Sequence, residues 1–421
     1  MDEEGKRREA MAMLRRGITI AEICTKLGRT RRWLSKWRGR FEAEGEASLR
    51  GRSRAPLHRP RATPERIVRA VTAARDRLGR RQGRRRFAGI GADAVAWELE
   101  LSGVRALPAR RTLERILARS GRTARAQRPV RPPAPRGYPA PTARRAGDLQ
   151  QTDLVGPRHL RTRSGPLRFY SFHTVDVAGG GIASFQFADK SAESFCRYLV
   201  GWAWPKLGLP RVWQVDNESA LAGFEHVGRV FTQPVRLALL LGVEVRFIPP
   251  GEPGRNADIE SFNALWQERV LRRFVTPSLA RLATVSLRFE RWFMAERPHP
   301  KLTLAEHGTR FPGTLLRSPD SQVRRLPRGF TLKPYRDGLG ELRIPLARGR
   351  ISWVRRADEH GALEILGHRL RLGRRAANEY VICTLSTARG ELTVQLDGQP
   401  IGAYRHPIDE KVVRPLVGRD G

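Results

Sequence analysis

Between residues 122 and 146 the chain holds seven arginines, six prolines and no acid. Such a stretch can neither bury apolar surface nor neutralise its own charge, so it reads as an extended linker or a strap along phosphates. The chain must therefore fold as several bodies, each finding its own core on one side of this segment. Its 421 residues leave room for about three ordinary domains.

Upstream, residues 1–50 read as a helix-turn-helix DNA-binding domain. "KRREAMAMLRRG" is a helix stopped at Gly17, and Thr19 is placed to cap "TIAEICTKLG". Ile20, Ile23, Cys24 and Leu27 are spaced for one buried face of that second helix. After Gly28, "RTRRWLSKWRGRF" resumes as a basic helix whose Trp33, Leu34 and Trp37 belong in the core. Arg29, Arg31, Arg32, Lys36 and Arg38 are then directed toward phosphates and base edges. A plain helical hairpin shares the apolar spacing; the basic face favours DNA. Residues 51–63 form a basic, Pro-punctuated linker, and residues 64–121 read as a second helix-turn-helix domain. Its last helix, "PARRTLERIL", carries Arg110, Arg111 and Arg115 outward.

Composition points the same way. Lysines and arginines number 79 against 42 acids, a net charge of +37 with most of the cations Arg. Self-repulsion on that scale opposes a compact state unless a polyanion is met, and nucleic acid is the expected partner. Cys24, Cys196 and Cys383 are far apart with no CxxC pair, which excludes a disulfide scaffold and a cysteine zinc site and fits a reducing compartment. The longest apolar stretch, "LALLLGVEV", is too short to span a bilayer. The opening "MDEEGKRREA" has acids and no apolar core, so no secretory signal is expected there. No Walker A motif is present, so an ATP-dependent helper would be a separate protein.

After Asp148 the texture changes. "DLQQTDLVG", "LRFYSFHTVDVAG" and "GIASFQFAD" read as three strands, the last two joined through "AGGG". "SAESFCRYLVGWAWPKLG" has helical period, "RVWQVDN" and "VEVRFIPP" are further strands, and "IESFNALWQERVLRRF" is a helix. Residues 147–310 are thus expected to form a mixed sheet with helices packed on it. From 311 to 421, short segments such as "ELRIPL", "RISWVRR", "ALEILG", "HRLRLG", "YVICTL", "LTVQLDG" and "IGAYR" suggest a small β-barrel domain.

Three acids stand at element ends: Asp153 in "LQQTDLVG", Asp216 in "WQVDN" and Glu260 in "NADIESFN". Each has an ordinary reading, as a strand-edge acid, a turn acid and a first-turn helix acid. A mixed sheet brings such ends together, and clustered carboxylates need a cation between them. Oxygen ligands alone suit Mg²⁺ or Mn²⁺, and a pair of such ions can serve phosphodiester chemistry.

The order "QTD", "VDN" and "PPGEPGRNADIESFN" resembles the integrase catalytic core of DDE-type transposases of bacterial insertion sequences, similar in the core to retroviral integrases. Pro250, Pro253 and Asn256 precede Glu260 at the family's spacing, Asn217 follows the second acid, and "RPHPKLTLAE" resembles the Arg-Pro-His element after the core. The resemblance covers nearly the whole chain. It implies an RNase H-like core in which Asp153, Asp216 and Glu260 hold two Mg²⁺ or Mn²⁺ ions for cleavage at transposon ends and strand transfer into target DNA. It further implies a homo-multimer on double-stranded DNA in a bacterial cytoplasm, with Asn217 and Asn256 among the groups near DNA.

Two departures stand out. Glu218 follows "DN" where the family commonly has Gly, and 43 residues separate Asp216 from Glu260, more than usual. Glu252 lies at the shorter interval, but it sits in a Pro/Gly loop with no rigid element behind it, so Glu260 is preferred and an insertion around 220–236 is expected. Asn217 serves equally well as a simple turn residue, and His159, His173 and His299 are read as structural or supporting rather than as metal ligands. A nuclease that hydrolyses DNA without joining it, and a DNA-binding regulator with an inactive core, remain the alternatives.

Overall fold

The computed structural model describes residues 2–50, 62–123, 137–218, 221, 231–319, 321 and 323–417. The expected linker at 51–63 and the strap at 122–146 therefore fall largely outside the described residues, as does most of the insertion around 220–236. The chain divides into two compact units, Met1–Val68 and Arg69–Gly421.

In the first unit, α1 (Glu3–Arg15), α2 (Ile20–Leu27) and α3 (Arg31–Glu44) surround one small core. Thr19 caps α2 in a reciprocal box with Glu22, and Thr30 caps α3 by accepting from the Trp33 backbone N–H. Met11, Met13, Ile23, Leu27, Leu34, Trp37 and Leu49 fill the interior. Ile20, expected on the buried face, is 42% exposed, and Cys24 and Trp33 only pack against the core's edge. Ile20 is the first residue of its helix, and a core made by three short helices does not reach that far along it.

The second unit opens with α4 (Glu65–Gly79), which straddles the boundary, then α5 (Ala92–Leu101) and α6 (Arg110–Arg119). The sheet elements follow: β1 (Leu149–Thr162), β2 (Gly165–Asp176), β3 (Ile182–Phe187), α7 (Ala192–Tyr198), α8 (Trp204–Leu207), β4 (Val212–Val215), α9 (Gln233–Leu240) and β5 (Glu244–Phe247). Next come α10 (Ala257–Trp266), α11 (Leu279–Ala295), α12 (Leu304–His307) and α13 (Pro312–Arg317). The C-terminal strands are β6 (Arg350–Arg356), β7 (Ala362–Ile365), β8 (His368–Arg371), β9 (Tyr380–Ser386), β10 (Glu391–Leu396) and β11 (Gln399–Arg405).

Nine of these strands form one mixed sheet in the order β11-β10-β9-β6-β5-β4-β1-β2-β3. β1, β2 and β3 are antiparallel neighbours, whereas β1, β4, β5 and β6 run parallel. Alternation along β2 sends Tyr170 and Phe172 to one face and Phe169 and Val175 to the other. The first face packs on α7, α8 and α9 through Tyr198, Trp204 and Leu237. The second packs on α10 and α11 through Ile259, Phe262, Trp266 and Phe289. Helices thus cover both faces, as parallel strands require.

The C-terminal strands are present, but their pairing differs from a separate small barrel. β6 lies parallel beside β5 with Val245 opposite Ile351 and Phe247 opposite Trp353, so β6, β9, β10 and β11 extend the core sheet. β5 would otherwise end the sheet with unpaired backbone groups, and β6 satisfies them. The β7–β8 ribbon adds Leu363, Ile365 and Leu370 to the same apolar cluster. The expected strand at Glu341–Leu346 is not regular; Leu342 makes only an isolated bridge to Arg336.

Candidate functional site

The junction of β1, β4 and α10 follows from strand parity. β1 and β4 are in parallel register, with Gln151 opposite Gln214. Two residues on, where β4 has just ended, stand Asp153 and Asp216, on the same face as those glutamines because side chains alternate. That face is the one α10 covers. Gln151 Oε1 accepts from the Ile259 N–H (3.1 Å), while Gln214 Nε2 donates to Asn256 Oδ1 (2.8 Å) and to the Arg255 carbonyl (3.2 Å). The two glutamines stitch the start of α10 to the sheet, and the two aspartates come next along the same strands. Glu260, in the first turn of α10, reaches the same region.

The electrostatics record the proximity. Burial pushes the Asp153 carboxyl up to about 6, and the charges of Asp216 and Glu260 push in the same direction. Asp216 is also raised by burial, against the N–H of Glu218, which donates to its Oδ1 at 3.1 Å. Lys190, whose charge favours ionised Asp216, is paired with Glu218 at 2.7 Å. Among the described residues, no group of three or more His, Cys, Asp or Glu side chains is placed so that it could hold a metal ion. Asp153 thus feels the charge of both other acids, while Lys190 acts on Asp216 in the opposite sense, and carboxylate oxygens are the donors that suit a hard divalent ion.

The rival acid is accounted for elsewhere. Glu252 pairs with Arg255 (2.8 Å) and accepts from the Tyr380 hydroxyl (2.8 Å), so its carboxylate is turned toward β9. Asn256, expected near DNA, is 3% exposed and serves as the acceptor for Gln214. Asn217 likewise works inward, its Nδ2 donating to the Ile248 carbonyl (2.7 Å) and its Oδ1 accepting from Arg355 (3.2 Å). It braces the ends of β4, β5 and β6 against one another.

The expected DNA-facing cations divide in the same way. Arg31, Arg32, Lys36 and Arg38 are exposed on α3, though Arg38 pairs with Glu42 at 2.8 Å, and Arg29 is held by Glu3. On α6, Arg111 and Arg115 are exposed, whereas Arg110 pairs with Glu114 (3.0 Å) and Asp93 (3.2 Å). His159 is exposed; His299 is pushed down to about 4 by burial with Arg297 and Lys301 nearby, and Lys301 itself pairs with Asp258 at 2.6 Å. The "RPHPKL" element is thereby fastened to the first turn of α10.

Sequence reasoning missed Gln151, Gln214 and Asn263. Their signals were present: the glutamines precede each aspartate by two, and Asn263 follows Glu260 by three, one helical turn on. Asn263 Nδ2 donates to Asp153 Oδ2 at 2.7 Å.

Residues 1–50 match the family described as a homeodomain-like domain. No curated protein matches the chain. Among solved structures, a chain of the simian T-cell lymphotropic virus intasome, determined with the PP2A regulatory subunit B56 gamma, is similar at 16% identity and a TM-score of 0.35, over 76% of this chain and 96% of that one. The HTLV-2 integrase catalytic core determined with magnesium is similar in its dimeric form at 11% identity, TM-score 0.31, over 41% of this chain and 98% of that one. Its trimeric form gives 12% identity and a TM-score of 0.29, over 37% of this chain and 90% of that one. No helix among the described residues is long and apolar enough to cross a membrane.

Proposed function

We propose that the chain is a DNA transposase or integrase that cleaves at the ends of a mobile element and joins them to target DNA. The observation that carries this reading is the junction itself: two aspartates at aligned positions of adjacent parallel strands, facing a helix whose first turn supplies a glutamate. The exposed basic face of α3 and the net charge of +37 supply the polyanion-binding character such a reaction needs.

Asp153, Asp216 and Glu260 are the residues that would hold Mg²⁺ or Mn²⁺. When bound, such ions supply activation of an oxygen nucleophile and charge stabilisation at the leaving oxygen. The chain's own contribution is placement. Gln151 and Gln214 fix α10 against the sheet, so Glu260 cannot drift from the two strand ends. Asn263 holds one oxygen of Asp153, and Asn217 braces the backbone directly after Asp216. Rigid support of this kind is what positions a scissile phosphodiester for in-line attack.

The test is a cleavage and strand-transfer assay with the element's own terminal DNA and Mg²⁺ or Mn²⁺, comparing the native chain with Asp216→Asn. A joined product that disappears in the variant is the expected result. Cleavage without joining would make the protein a nuclease, and DNA binding with neither product would leave a regulator.

A further inference from the structure

We propose that His173, acting through Asn263, is a positioning residue that orients Asp153 by a relay of hydrogen bonds running in one direction across the sheet–helix interface. The proposal rests on the reading of Asp153 as a site carboxylate.

The relay can be read atom by atom. An ionised carboxylate only accepts, so Asn263 presents its Nδ2 to Asp153 Oδ2 (2.7 Å) and its Oδ1 to the other side. That oxygen lies 2.6 Å from His173 Nδ1, which must therefore carry the proton. A neutral imidazole has one N–H, so Nε2 is the acceptor, and the Ser171 hydroxyl donates to it at 2.6 Å. Ser171 Oγ in turn accepts from Gln186 Nε2 at 2.9 Å, and the same amide donates to Ser184 Oγ at 3.2 Å. From Asp153 back to Ser171 each bond fixes the sense of the next, and the lone pairs left on Ser171 Oγ accept from Gln186.

The surroundings hold this arrangement. His173 and Ser171 are fully buried and Gln186 is 2% exposed. Burial keeps the imidazole neutral, its pKa pushed down to about 4. The rings of Phe262 and Trp266 meet His173 edge-on at 5.2 Å and 4.7 Å, which blocks rotation of the imidazole. His173 is also the cross-strand partner of Asp153 in the β1–β2 ladder, so the two cannot separate without breaking the sheet. Turning the Asn263 amide over would set oxygen against carboxylate and NH₂ against the Nδ1–H. Both contacts are repulsive, so the tautomer of a residue that never touches DNA dictates which way the Asp153 carboxylate is held.

Two measurements on the full chain test this. In ¹⁵N-histidine NMR near neutral pH, His173 should be neutral and protonated on Nδ1; an Nε2-protonated ring or an imidazolium overturns the relay. Mn²⁺ alone is then titrated into the native chain, His173→Phe and His173→Asn, with thermal melts as fold controls. The phenyl ring fills the space without a donor, and Mn²⁺ affinity should fall about 10–100-fold. The Asn amide places an N–H near the Nδ1 position, and affinity should return to within about threefold of native. Equal affinity in His173→Phe and the native chain overturns the proposal. These readouts need no DNA product: failed strand transfer with the expected NMR and Mn²⁺ pattern sinks the proposed reaction and keeps the relay. If the native chain binds no Mn²⁺, the metal reading fails and the tautomer decides the relay alone.

Discussion

Two stretches of this chain look alike in sequence and fold under different constraints. Residues 2–50 and 62–123 both read as three helices with a basic last helix. The first has an interior of its own, centred on Ile23, Leu27, Leu34 and Trp37, with every contributor within 50 residues of the others. The second buries Val71, Leu78, Val95, Leu99 and Leu117, but is also fastened to the sheet domain. Phe87 enters the α10–α11 cluster, 5.3 Å from Phe274 and 5.5 Å from Phe289. Arg269 and Arg273 donate to the carbonyls of Phe87, Ala88 and Arg86, and the Trp97 Nε1–H donates to the Glu296 carbonyl (3.0 Å). Arg310 pairs with Glu100 at 2.7 Å. Helical period announces helices in both; it does not announce that one set is welded to a partner some 180 residues away in sequence.

The largest test of this contrast is a pair of truncations in the two interiors. Phe87→Ala should cost about 3–5 kcal/mol, and the loss should appear in the melting of the sheet-containing unit. Trp37→Ala should cost a similar amount, confined to the transition of residues 2–50. Calorimetry that shows Phe87→Ala leaving the sheet unit unchanged would break the comparison.

A smaller effect of opposite sign comes from the acid junction. Burial pushes the Asp153 carboxyl up to about 6 from an ordinary 3.8, so its ionisation costs the folded state stability above pH 6, and the cost fades as pH falls from 6 toward 3.8. Asp153→Asn should therefore raise the stability of the sheet unit by about 1–2 kcal/mol at pH 7.5 while abolishing DNA joining. That gain should vanish by about pH 4, where the native carboxyl is also neutral. Denaturation at both pH values checks it, and the transition of residues 2–50 should not move.

The smallest effects concern DNA. Replacing Arg31 and Arg32 by Ala should weaken binding and lower the salt slope by about 2, since both are exposed on α3. Arg110→Ala should lower it by less than 1, because Arg110 already faces Glu114 and Asp93. Binding titrations at several salt concentrations separate the two, and an equal loss would mean that both last helices lie on phosphates.

The three acids of the candidate site were legible before folding. Asp153, Asp216 and Glu260 could be picked out because each interrupts an element end with a charge, and the structure brings the charges of the other two to bear on Asp153. Asn217 and Asn256 were readable as polar residues beside acids, but not as braces, because their partners Ile248, Arg355 and Gln214 belong to other strands. His173 shows the limit most clearly. Nothing around it in "SFHTVD" marks it off from any other buried strand residue; its meaning comes from Asn263, 90 residues further on.

By itself, the sequence determined what local physics controls: the helices from their apolar period and caps, the strands from their alternation, the acids from their places at element ends, and the cationic surface from composition. Only the tertiary structure decided which strand ends meet. It set β6 beside β5 rather than in a barrel of its own, fixed Phe87 in another domain's core, and gave His173 its tautomer. Period and capping act between residues a few positions apart, whereas pairing and burial compare surfaces that the chain brings together only once it has folded.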